Sequence, residues 1–323
     1  MSVFRNFFRI TSKAIDPFFS ILIVPAGLLF ITFRKVGSKR LPKTRERLKT
    51  LGVFPIIDHY YEPLFNNKRL VDPLAQDRVL PGLNFDIESQ LGFLAKLEYA
   101  NELKELELDK KKINDSDFSI RNGGFASGDA DFLYQFIRAI KPKKVIEIGC
   151  GESTKVIQMA LRVNNYESGE SSSHYCIEPY EQRWLDDYPG VVLIRERVET
   201  LSFDWSQALD SNDLLFIDSS HMIRPQGDVL VEYLRIIPSL KKGVFVHVHD
   251  IFSPRDYLEE WIVKDVRFWN EQYLLEALLS HTNRYKVVAA LNQLKQNHYF
   301  ELSRVCPYLT VDREPGSLYF RVD

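Results

Sequence analysis

Short apolar runs alternate with longer amphipathic segments over the second half of the chain. The runs lie at 144–148, 175–177, 191–195, 213–217 and 244–249, with two later ones at 285–289 and 317–321. Between them, helical periodicity marks the segments 153–163, 181–188, 225–237 and 268–281. Continuous apolar strands that alternate with helices are typical of a parallel sheet covered on both faces. The pattern predicts an α/β fold with a seven-stranded, mostly parallel, doubly wound sheet of the Rossmann-like kind.

The first half of the chain is organised differently. Residues 41–82 are rich in proline, aromatic and turn residues, which indicates an irregular connector. Apolar spacing predicts one helix over 84–106 and another that begins near Ser127–Asp131 and ends before Pro142. We therefore predict an N-terminal segment at 1–40, a connector and helical cap at 41–124, and the α/β domain at 125–323.

The stretch at 17–33 contains no charged residue and lies near the lower length limit for a membrane-spanning helix, about 17 residues. Pro25 and Gly27 interrupt it, and no small-residue cleavage site follows, so we expect a retained anchor. Basic residues accumulate after it, from Arg34 to Lys49, which predicts that the larger C-terminal part faces the cytoplasm. The alternative is a buried helix or hairpin that packs against the α/β domain.

Composition sets limits on function. The chain has 323 residues, 45% of them hydrophobic, and a formal net charge of -2, which gives no case for a nucleic-acid partner. Its three cysteines, Cys150, Cys176 and Cys306, have no C-x-x-C spacing. Neither a disulfide framework nor a structural zinc site is indicated by that spacing. Nothing in the composition predicts the oligomeric state.

The most informative segment is 145–154, VIEIGCGEST, which reads as a buried strand that turns sharply into a helix. Gly149 and Gly151 let a ligand approach the backbone, and Ser153 can open a helix whose free N–H groups face that ligand. A dinucleotide-binding turn needs a third glycine where this chain has Thr154. The turn therefore favours a cofactor without phosphates, and a nicotinamide-dependent oxidoreductase is the weaker alternative.

Ionisable residues follow the fourth and fifth strands. Asp218 and His221 come after one strand, and His249 and Asp250 end the next. Because parallel strands end at one edge of a sheet, these side chains should share one cleft. Two carboxylates and an imidazole can bind Mg²⁺ or another divalent cation, with Asp218, His249 and Asp250 as the predicted ligands. Without a metal ion, His221 is the predicted general base and, with Asp218, forms the predicted catalytic pair.

The E-x-G-x-G-x-S pattern that begins at Glu147, together with Glu178 at the end of the second strand, resembles class I S-adenosylmethionine-dependent methyltransferases. The segment 218–228, DSSHMIRPQGD, followed by a strand ending in His249–Asp250, resembles small-molecule enzymes related to macrocin O-methyltransferase. The resemblance covers roughly 125–285. The chain departs from catechol-type relatives because it lacks Asp-Asn after the fifth strand.

The resemblance implies roles for individual residues. S-adenosylmethionine would be the cofactor, and Asp218 would lie near both the cofactor and the transferred methyl group. The resemblance also implies that Glu178 binds the ribose hydroxyls of the cofactor and that Val198 and Glu199 lie near its adenine. The other implied cofactor contacts are Glu147, Gly149, Gly151 and Ser153 of the glycine turn and Asp129 upstream of it.

The sequence thus predicts a membrane-anchored, cytoplasm-facing methyltransferase that methylates oxygen on a small-molecule or lipid-linked acceptor. A non-catalytic membrane scaffold with a nucleotide-type fold is the alternative from another class. The residues that would line an acceptor pocket are Trp261, Phe268, Trp269 and Tyr273, and those that would meet an anionic acceptor are Arg224, Arg255 and Arg267. We interpret the aromatic residues as core, because aromatic residues at helical spacing are usually core, and the arginines as surface or helix-end residues.

Overall fold

The structure is a computed structural model that describes residues 2–64 and 66–323, with side chains from Ser12 onward. The chain divides into two compact units, Met1–Val71 and Asp72–Asp323. The domain boundaries expected at 40 and 124 stay predictions.

The first unit contains the helices α1 (Ser2–Val36) and α2 (Pro42–Thr50) and a 3₁₀ turn at Asn67–Arg69. Helix α1 runs through Pro17 and Pro25. Its part Ser12–Val36 is long and apolar enough to cross a membrane, and none of its most apolar stretch is buried. Ile21 and Leu29 are each 71% exposed, which is unlike the helix of a protein core.

The second unit is a seven-stranded sheet with helices on both faces. Its strands are β1 (Lys144–Ile148), β2 (Ser173–Ile177), β3 (Val191–Ile194), β4 (Leu214–Ile217), β5 (Phe245–Val248), β6 (Tyr285–Ala290) and β7 (Leu318–Val322). Its helices are α3 (Ile87–Leu94), α4 (Ala100–Glu105), α5 (Asp129–Ile140), α6 (Glu152–Ser168), α7 (Arg183–Asp186), α8 (Trp205–Ala208), α9 (Asp228–Val231), α10 (Ile237–Ser239), α11 (Glu271–Leu279), α12 (Leu291–Asn297) and α13 (Tyr299–Val305).

The strand order is β3-β2-β1-β4-β5-β7-β6. Strands β1 to β5 pair in parallel, whereas β7 lies antiparallel between β5 and β6. The predicted seven-stranded, mostly parallel sheet is confirmed. Because the order reverses beside β1, the carboxyl ends of β1 and β4 border the crevice in which such sheets bind ligands.

The core has one layer on each side of the sheet. Along β1, Val145 belongs to the layer beneath α5 and α6, whereas Ile146 and Ile148 belong to the opposite layer. Side chains alternate between faces along a strand. Glu147 therefore shares the α5 and α6 face with Val145, and it is fully buried there.

Two element predictions need correction. The single helix expected over 84–106 is two helices, α3 and α4, separated by a turn in which Leu97 N–H donates to the carbonyl of Leu94. The backbone N–H of Tyr99 donates to Gln135 Oε1 of α5 at 2.9 Å, so a tertiary hydrogen bond replaces a helical one at the break. Helices α12 and α13, between β6 and β7, were not predicted.

Candidate active site

Two adjoining cavities lie at the carboxyl ends of β1, β2, β4 and β5. They measure about 190 and 420 Å³, and Gly149, Glu178 and Asp218 line both. Val198 and Glu199 line the smaller cavity, whereas Gly151 and Ser153 line the larger one. Six of the predicted cofactor contacts besides Asp218 thus border these two cavities, which we together call the groove.

Gly149 joins the strand ends that form this groove. Its φ is +80°, a conformation that favours glycine, and a Cβ at this position would lie 1.8 Å from the backbone oxygen of Asp218. Its N–H donates to the carbonyl of Ile177 at 3.0 Å. A Cβ at Gly151 would meet open space, so that residue keeps the groove accessible.

The Glu178 carboxylate is fixed at the end of β2. Its two oxygens accept hydrogen bonds from the backbone N–H groups of Cys150, at 3.1 Å, and Tyr180, at 2.8 Å. Only 7% of the residue is exposed. These bonds connect the second strand to the glycine turn, and the residue lines both cavities.

Asp218, His221, His249 and Asp250 form what we call the strand-end cluster. The imidazole Nε2 of His221 lies 3.4 Å from a carboxylate oxygen of Asp218 and 3.4 Å from one of Asp250. The Nδ1 of His249 lies 3.5 Å from Asp218 and 3.4 Å from Asp250. The structure thus brings these four side chains together at the sheet edge, and their catalytic and metal-binding roles stay predictions.

Glu271, at the start of α11, holds His221 from the other side. Its carboxylate is 2.8 Å from His221 Nδ1, and it also accepts a hydrogen bond from the hydroxyl of Tyr233 at 2.9 Å. The N–H groups of Asn270 and Glu271 donate to the backbone carbonyl of His221. A histidine held at Nδ1 presents Nε2 to the cluster in a fixed direction.

The backbone of the cluster is strained at two residues. His221 and Asp250 have φ values of 59° and 57°, in the left-handed region that residues with side chains adopt rarely. Such conformations cost on the order of 1–3 kcal/mol each and concentrate at functional sites. The contacts of Glu271 and Asn270 stabilise this conformation at His221.

The charges of the cluster depend on one another. Burial alone lowers the pKa of His221, but the carboxylates of Asp218 and Glu271 raise it to about 10. Burial likewise opposes the charged form of His249, yet Asp250 and Asp218 hold its pKa well above the usual value. Burial raises the pKa of Asp250. The carboxylates therefore require positive charge beside them, which either imidazolium protons or a cation can supply.

A divalent cation fits this donor set. Donor atoms of Asp218, His221 and Asp250 all lie within 4.8 Å of one another. In the described part of the chain, the buried Nδ1 of His249 has no hydrogen-bond partner although it faces two carboxylates. Carboxylate oxygens suit Mg²⁺ or Mn²⁺, and imidazole nitrogens suit transition-metal ions. His221 thus joins the three residues that the sequence predicted as ligands.

Three predicted cofactor residues have other partners in this structure. Glu147 is fully buried beneath the glycine turn and accepts a hydrogen bond from Ser153 at 2.6 Å. Asp129 accepts hydrogen bonds from the N–H of Gly316, at 2.9 Å, and the hydroxyl of Ser317, at 2.7 Å. The cofactor contacts of Glu147, Ser153 and Asp129 stay predictions.

The structure adds residues that the sequence analysis did not assign to the site. Trp261, Arg267, Trp269 and Phe125 line the larger cavity, and Arg267 lies 4.6 and 4.5 Å from the ring centroids of Trp261 and Trp269. Glu271 was missed because an acid in the first turn of a helix is common and nothing local links it to His221. Only the path of the chain between β5 and α11 brings it there.

Residues 146–251 match the family model described as a methyltransferase domain. The match covers about a third of the chain and includes the glycine turn, Glu178 and the strand-end cluster. The predicted resemblance to methyltransferases is thereby confirmed over these residues. None of the curated proteins compared with the chain matches it.

Solved structures of methyltransferases are similar to parts of this chain. An O-methyltransferase from Bacillus cereus in complex with SAH is 11% identical, with 73% of this chain and 91% of that chain covered and a TM-score of 0.38. An antibiotic-related methyltransferase is 16% identical, with 59% and 92% covered and a TM-score of 0.28. At these scores neither structure bears on the chemistry of this chain.

Proposed function

We propose that this protein is an S-adenosylmethionine-dependent methyltransferase that methylates an oxygen atom of a small or lipid-linked acceptor. The observation that carries the proposal is the groove over the glycine turn, with the fixed Glu178 carboxylate at one end and the strand-end cluster at the other. The family match over 146–251 supports the same reaction class.

The groove suits the parts of this cofactor in order. Glu178 would accept hydrogen bonds from the ribose hydroxyls, and Val198 and Glu199 would flank the adenine in the smaller cavity. Gly149 and Gly151 leave the backbone open to the methionine part. A sulfonium carries positive charge and no phosphate, which agrees with the carboxylates of the groove and with Thr154 in place of a third glycine.

The strand-end cluster would prepare the acceptor. Asp218, Asp250 and Nε2 of His221 would hold a divalent cation, with His249 beside them, and Glu271 would orient the imidazole. A cation bound there would lower the pKa of an acceptor hydroxyl. Because the pKa of His221 is raised to about 10, its imidazole is protonated near pH 7 and must lose that proton before it acts as a ligand or as a general base.

Methyl transfer asks mainly for alignment and exclusion of water. Asp218 lies at the junction of the two cavities, where the methyl group would meet the acceptor. Trp261, Trp269 and Phe125 provide an apolar wall, and the guanidinium of Arg267 adds a cationic group. Such a cavity suits an amphiphilic acceptor.

Helix α1 would anchor the enzyme in a membrane with its larger unit on the cytoplasmic side. The exposed apolar side chains of Ser12–Val36 and the basic residues from Arg34 to Lys49 support this part of the proposal. An anchored enzyme meets a lipid-linked acceptor at the membrane surface.

Calorimetry tests the cofactor. We expect S-adenosylmethionine and S-adenosylhomocysteine to bind and NAD not to bind. Glu178→Ala should weaken binding at least tenfold because the ribose hydroxyls lose a charged acceptor, a loss of about 1.5–3 kcal/mol. The matched control is Glu301→Ala, an exposed glutamate on α13. Binding of NAD alone would indicate an oxidoreductase. No binding of any of the three ligands would indicate a scaffold.

Carbonate extraction of membranes tests the anchor. The full chain should stay in the pellet, whereas Ile21→Lys combined with Leu29→Lys should release it, since each lysine opposes insertion by about 2.5–3.5 kcal/mol at the helix centre. Ile113→Lys, at a 91% exposed position of the second unit, is the control. Release of the unaltered chain by carbonate would refute the spanning arrangement.

A further inference from the structure

A second group of polar side chains lies directly behind the glycine turn. It consists of Glu147, Cys150, His174 and Cys176, which we call the buried cluster. Three of these residues are fully buried, and Cys150 is 6% exposed. The proposed methyl transfer gives no role to Cys150, His174 or Cys176. A carboxylate and an imidazole are costly to bury in a core unless they have partners.

The backbone brings the four side chains together. His174 and Cys176 are two residues apart on β2, so they share one face of the sheet. Glu147 of β1 is the register partner of Cys176 and lies on the same face. Cys150 approaches from the turn after β1, where its sulfur lies 3.8 Å from the carbonyl oxygen of Glu147.

The donor atoms of Glu147, His174 and Cys176 lie close to the separations of a tetrahedral metal site. His174 Nε2 is 3.0 Å from Glu147 Oε2, and Cys176 Sγ is 3.5 Å from that nitrogen and 3.6 Å from that oxygen. Donor atoms of Glu147, Cys150 and Cys176 lie within 4.8 Å of one another. Zinc bonds of about 2.3 Å to sulfur and about 2.0–2.1 Å to nitrogen or oxygen separate tetrahedral ligands by roughly 3.3–3.8 Å.

Outer contacts orient two of the ligands. Ser153 donates to the far oxygen of Glu147, Oε1, at 2.6 Å, which leaves Oε2 toward the cluster. The Gln158 amide lies 3.0 Å from Nδ1 of His174. The same amide nitrogen donates to the carbonyl of Gly190 at 3.0 Å, which holds the Gln158 side chain against the imidazole ring. Ligands of structural metal sites are usually held in this way.

We propose that Glu147, Cys150, His174 and Cys176 bind one Zn²⁺ ion. Two thiolates, one imidazole and one carboxylate complete a closed tetrahedral site with no position for substrate. On binding, Cys150, Cys176 and His174 Nε2 each release a proton to solvent, and the net charge of the ligands and the ion becomes -1. The ligands come from two strands and a turn, which is why the sequence shows no C-x-x-C spacing.

The ion would brace the cofactor turn. The N–H of Cys150 donates to Glu178, and the next residue, Gly151, borders the larger cavity. A metal bond at the sulfur of Cys150 would therefore fix the segment that holds Glu178 in place. This role is structural and independent of the reaction at the strand-end cluster.

The test uses the full chain in detergent and Zn²⁺ or Co²⁺ alone as the probe. We expect about one zinc ion per chain to survive extensive dialysis. After exchange, Co²⁺ should show intense near-ultraviolet sulfur-to-cobalt bands and the visible bands of four-coordinate cobalt. The strand-end cluster has no sulfur, so it cannot produce the near-ultraviolet bands. Cys176→Ser should lose at least half of their intensity, and Cys306→Ser, a buried cysteine outside the cluster, should keep it.

Three results would overturn the proposal: no retained zinc together with no sulfur-to-cobalt bands, bands that persist in Cys176→Ser, or a disulfide between Cys150 and Cys176 in the purified protein. The spectrum of the unaltered chain decides the matter even when Cys176→Ser does not fold. Cys150→Ser, which truncates a residue of the turn and leaves β2 intact, provides the second variant.

Discussion

Two clusters of carboxylates and imidazoles flank the same glycine turn, and they differ in access to solvent. In the strand-end cluster the side chains of Asp218 and Asp250 are 29% and 15% exposed and border a cavity. In the buried cluster Glu147 and His174 are fully buried, and two thiols replace one carboxylate and one imidazole. An open set of oxygen and nitrogen donors suits an exchangeable cation at a reaction centre, whereas a closed set with sulfur suits a structural ion.

The position of each acid relative to its strand produces this difference. Glu147 is a residue within β1, so the pleat directs it into the layer beneath α5 and α6. Asp218 and Asp250 follow the last residues of β4 and β5 and reach past the sheet edge. A shift of one or two positions along a strand thus separates a core group from a reactive group.

Gly149→Ala should have the largest effect, because Gly149 connects the two clusters. The added Cβ would lie 1.8 Å from the Asp218 backbone oxygen, and the residue has a positive φ. We expect a loss of about 4 kcal/mol or more in the free energy of unfolding, in the range of severe backbone strain. Urea denaturation followed by circular dichroism measures it.

Gly151→Ala is the matched control for that change. Its Cβ would meet open space, so the free energy of unfolding should change by less than about 1 kcal/mol. Cofactor affinity should still fall, because the methyl group enters the groove. Equal destabilisation by the two alanines would show that the contact at Gly149 does not hold the turn.

The sequence alone predicted much of this arrangement. Seven strands, the glycine turn and the acids at the ends of β2, β4 and β5 follow from apolar periodicity and from the rule that parallel strands end at one edge. His221 and Asp250 were placed in one cleft for the same reason. These features depend on local pattern and on a general property of the fold.

What the sequence did not show depends on contacts between distant segments. The link from Glu271 to His221 spans 50 positions, and the buried cluster joins residues of two strands and a turn. The argument from cysteine spacing pointed away from zinc, because it considers neighbours along the chain and cannot include register partners such as Glu147 and Cys176. The break between α3 and α4 has the same origin in a tertiary hydrogen bond.

Asp218→Asn should disable the strand-end cluster and leave the buried cluster intact. The change keeps the shape of the side chain and removes a charged ligand, so we expect Mn²⁺ affinity to fall about 100-fold and methyl transfer to slow by at least as much. Electron paramagnetic resonance of free Mn²⁺ reports the affinity, and labelled methyl transfer into membrane extract reports the rate. Asp312→Asn, at an exposed position, is the control.

Zinc content provides the complementary measurement for that variant. Asp218→Asn should retain as much zinc as the unaltered chain, because none of the buried ligands touches Asp218. Loss of both metals together would contradict the division into two independent sites.

Two further variants change residues that hold a ligand without binding the metal ion themselves, and we expect smaller effects on the two sites. Glu271→Gln removes the charge beside His221 Nδ1, and we expect Mn²⁺ affinity to fall about tenfold with zinc retention unchanged. Ser153→Ala removes the hydrogen bond to Glu147, and we expect the opposite, about tenfold weaker zinc retention with Mn²⁺ affinity unchanged. Titration with a zinc-selective chelator measures zinc retention, and titration with Mn²⁺ measures Mn²⁺ affinity. A variant of one cluster that also weakens the metal of the other cluster would count against separate sites.

The pH dependence of stability should show the smallest difference between the clusters. In the metal-free protein, burial alone lowers the pKa of both His174 and His221. Cys176 and Glu147 nevertheless raise the pKa of His174 to about 10. Asp218 and Glu271 raise the pKa of His221 to about 10 as well. Histidine in an unfolded chain has a pKa of about 6.5, so the folded state binds more protons between these values. The stabilisation is therefore complete below pH 6.5 and is lost as pH rises toward 10, by on the order of 1 kcal/mol or more for each histidine. Zinc makes His174 neutral at every pH in this window, so a zinc-loaded protein should lose only the part due to the strand-end histidines, His221 and His249. Urea titrations of the unaltered chain, His174→Gln and His221→Gln at several pH values measure how much of the stability each histidine contributes. A zinc-loaded chain whose stability keeps the full pH dependence of the metal-free chain would show that His174 is not a zinc ligand.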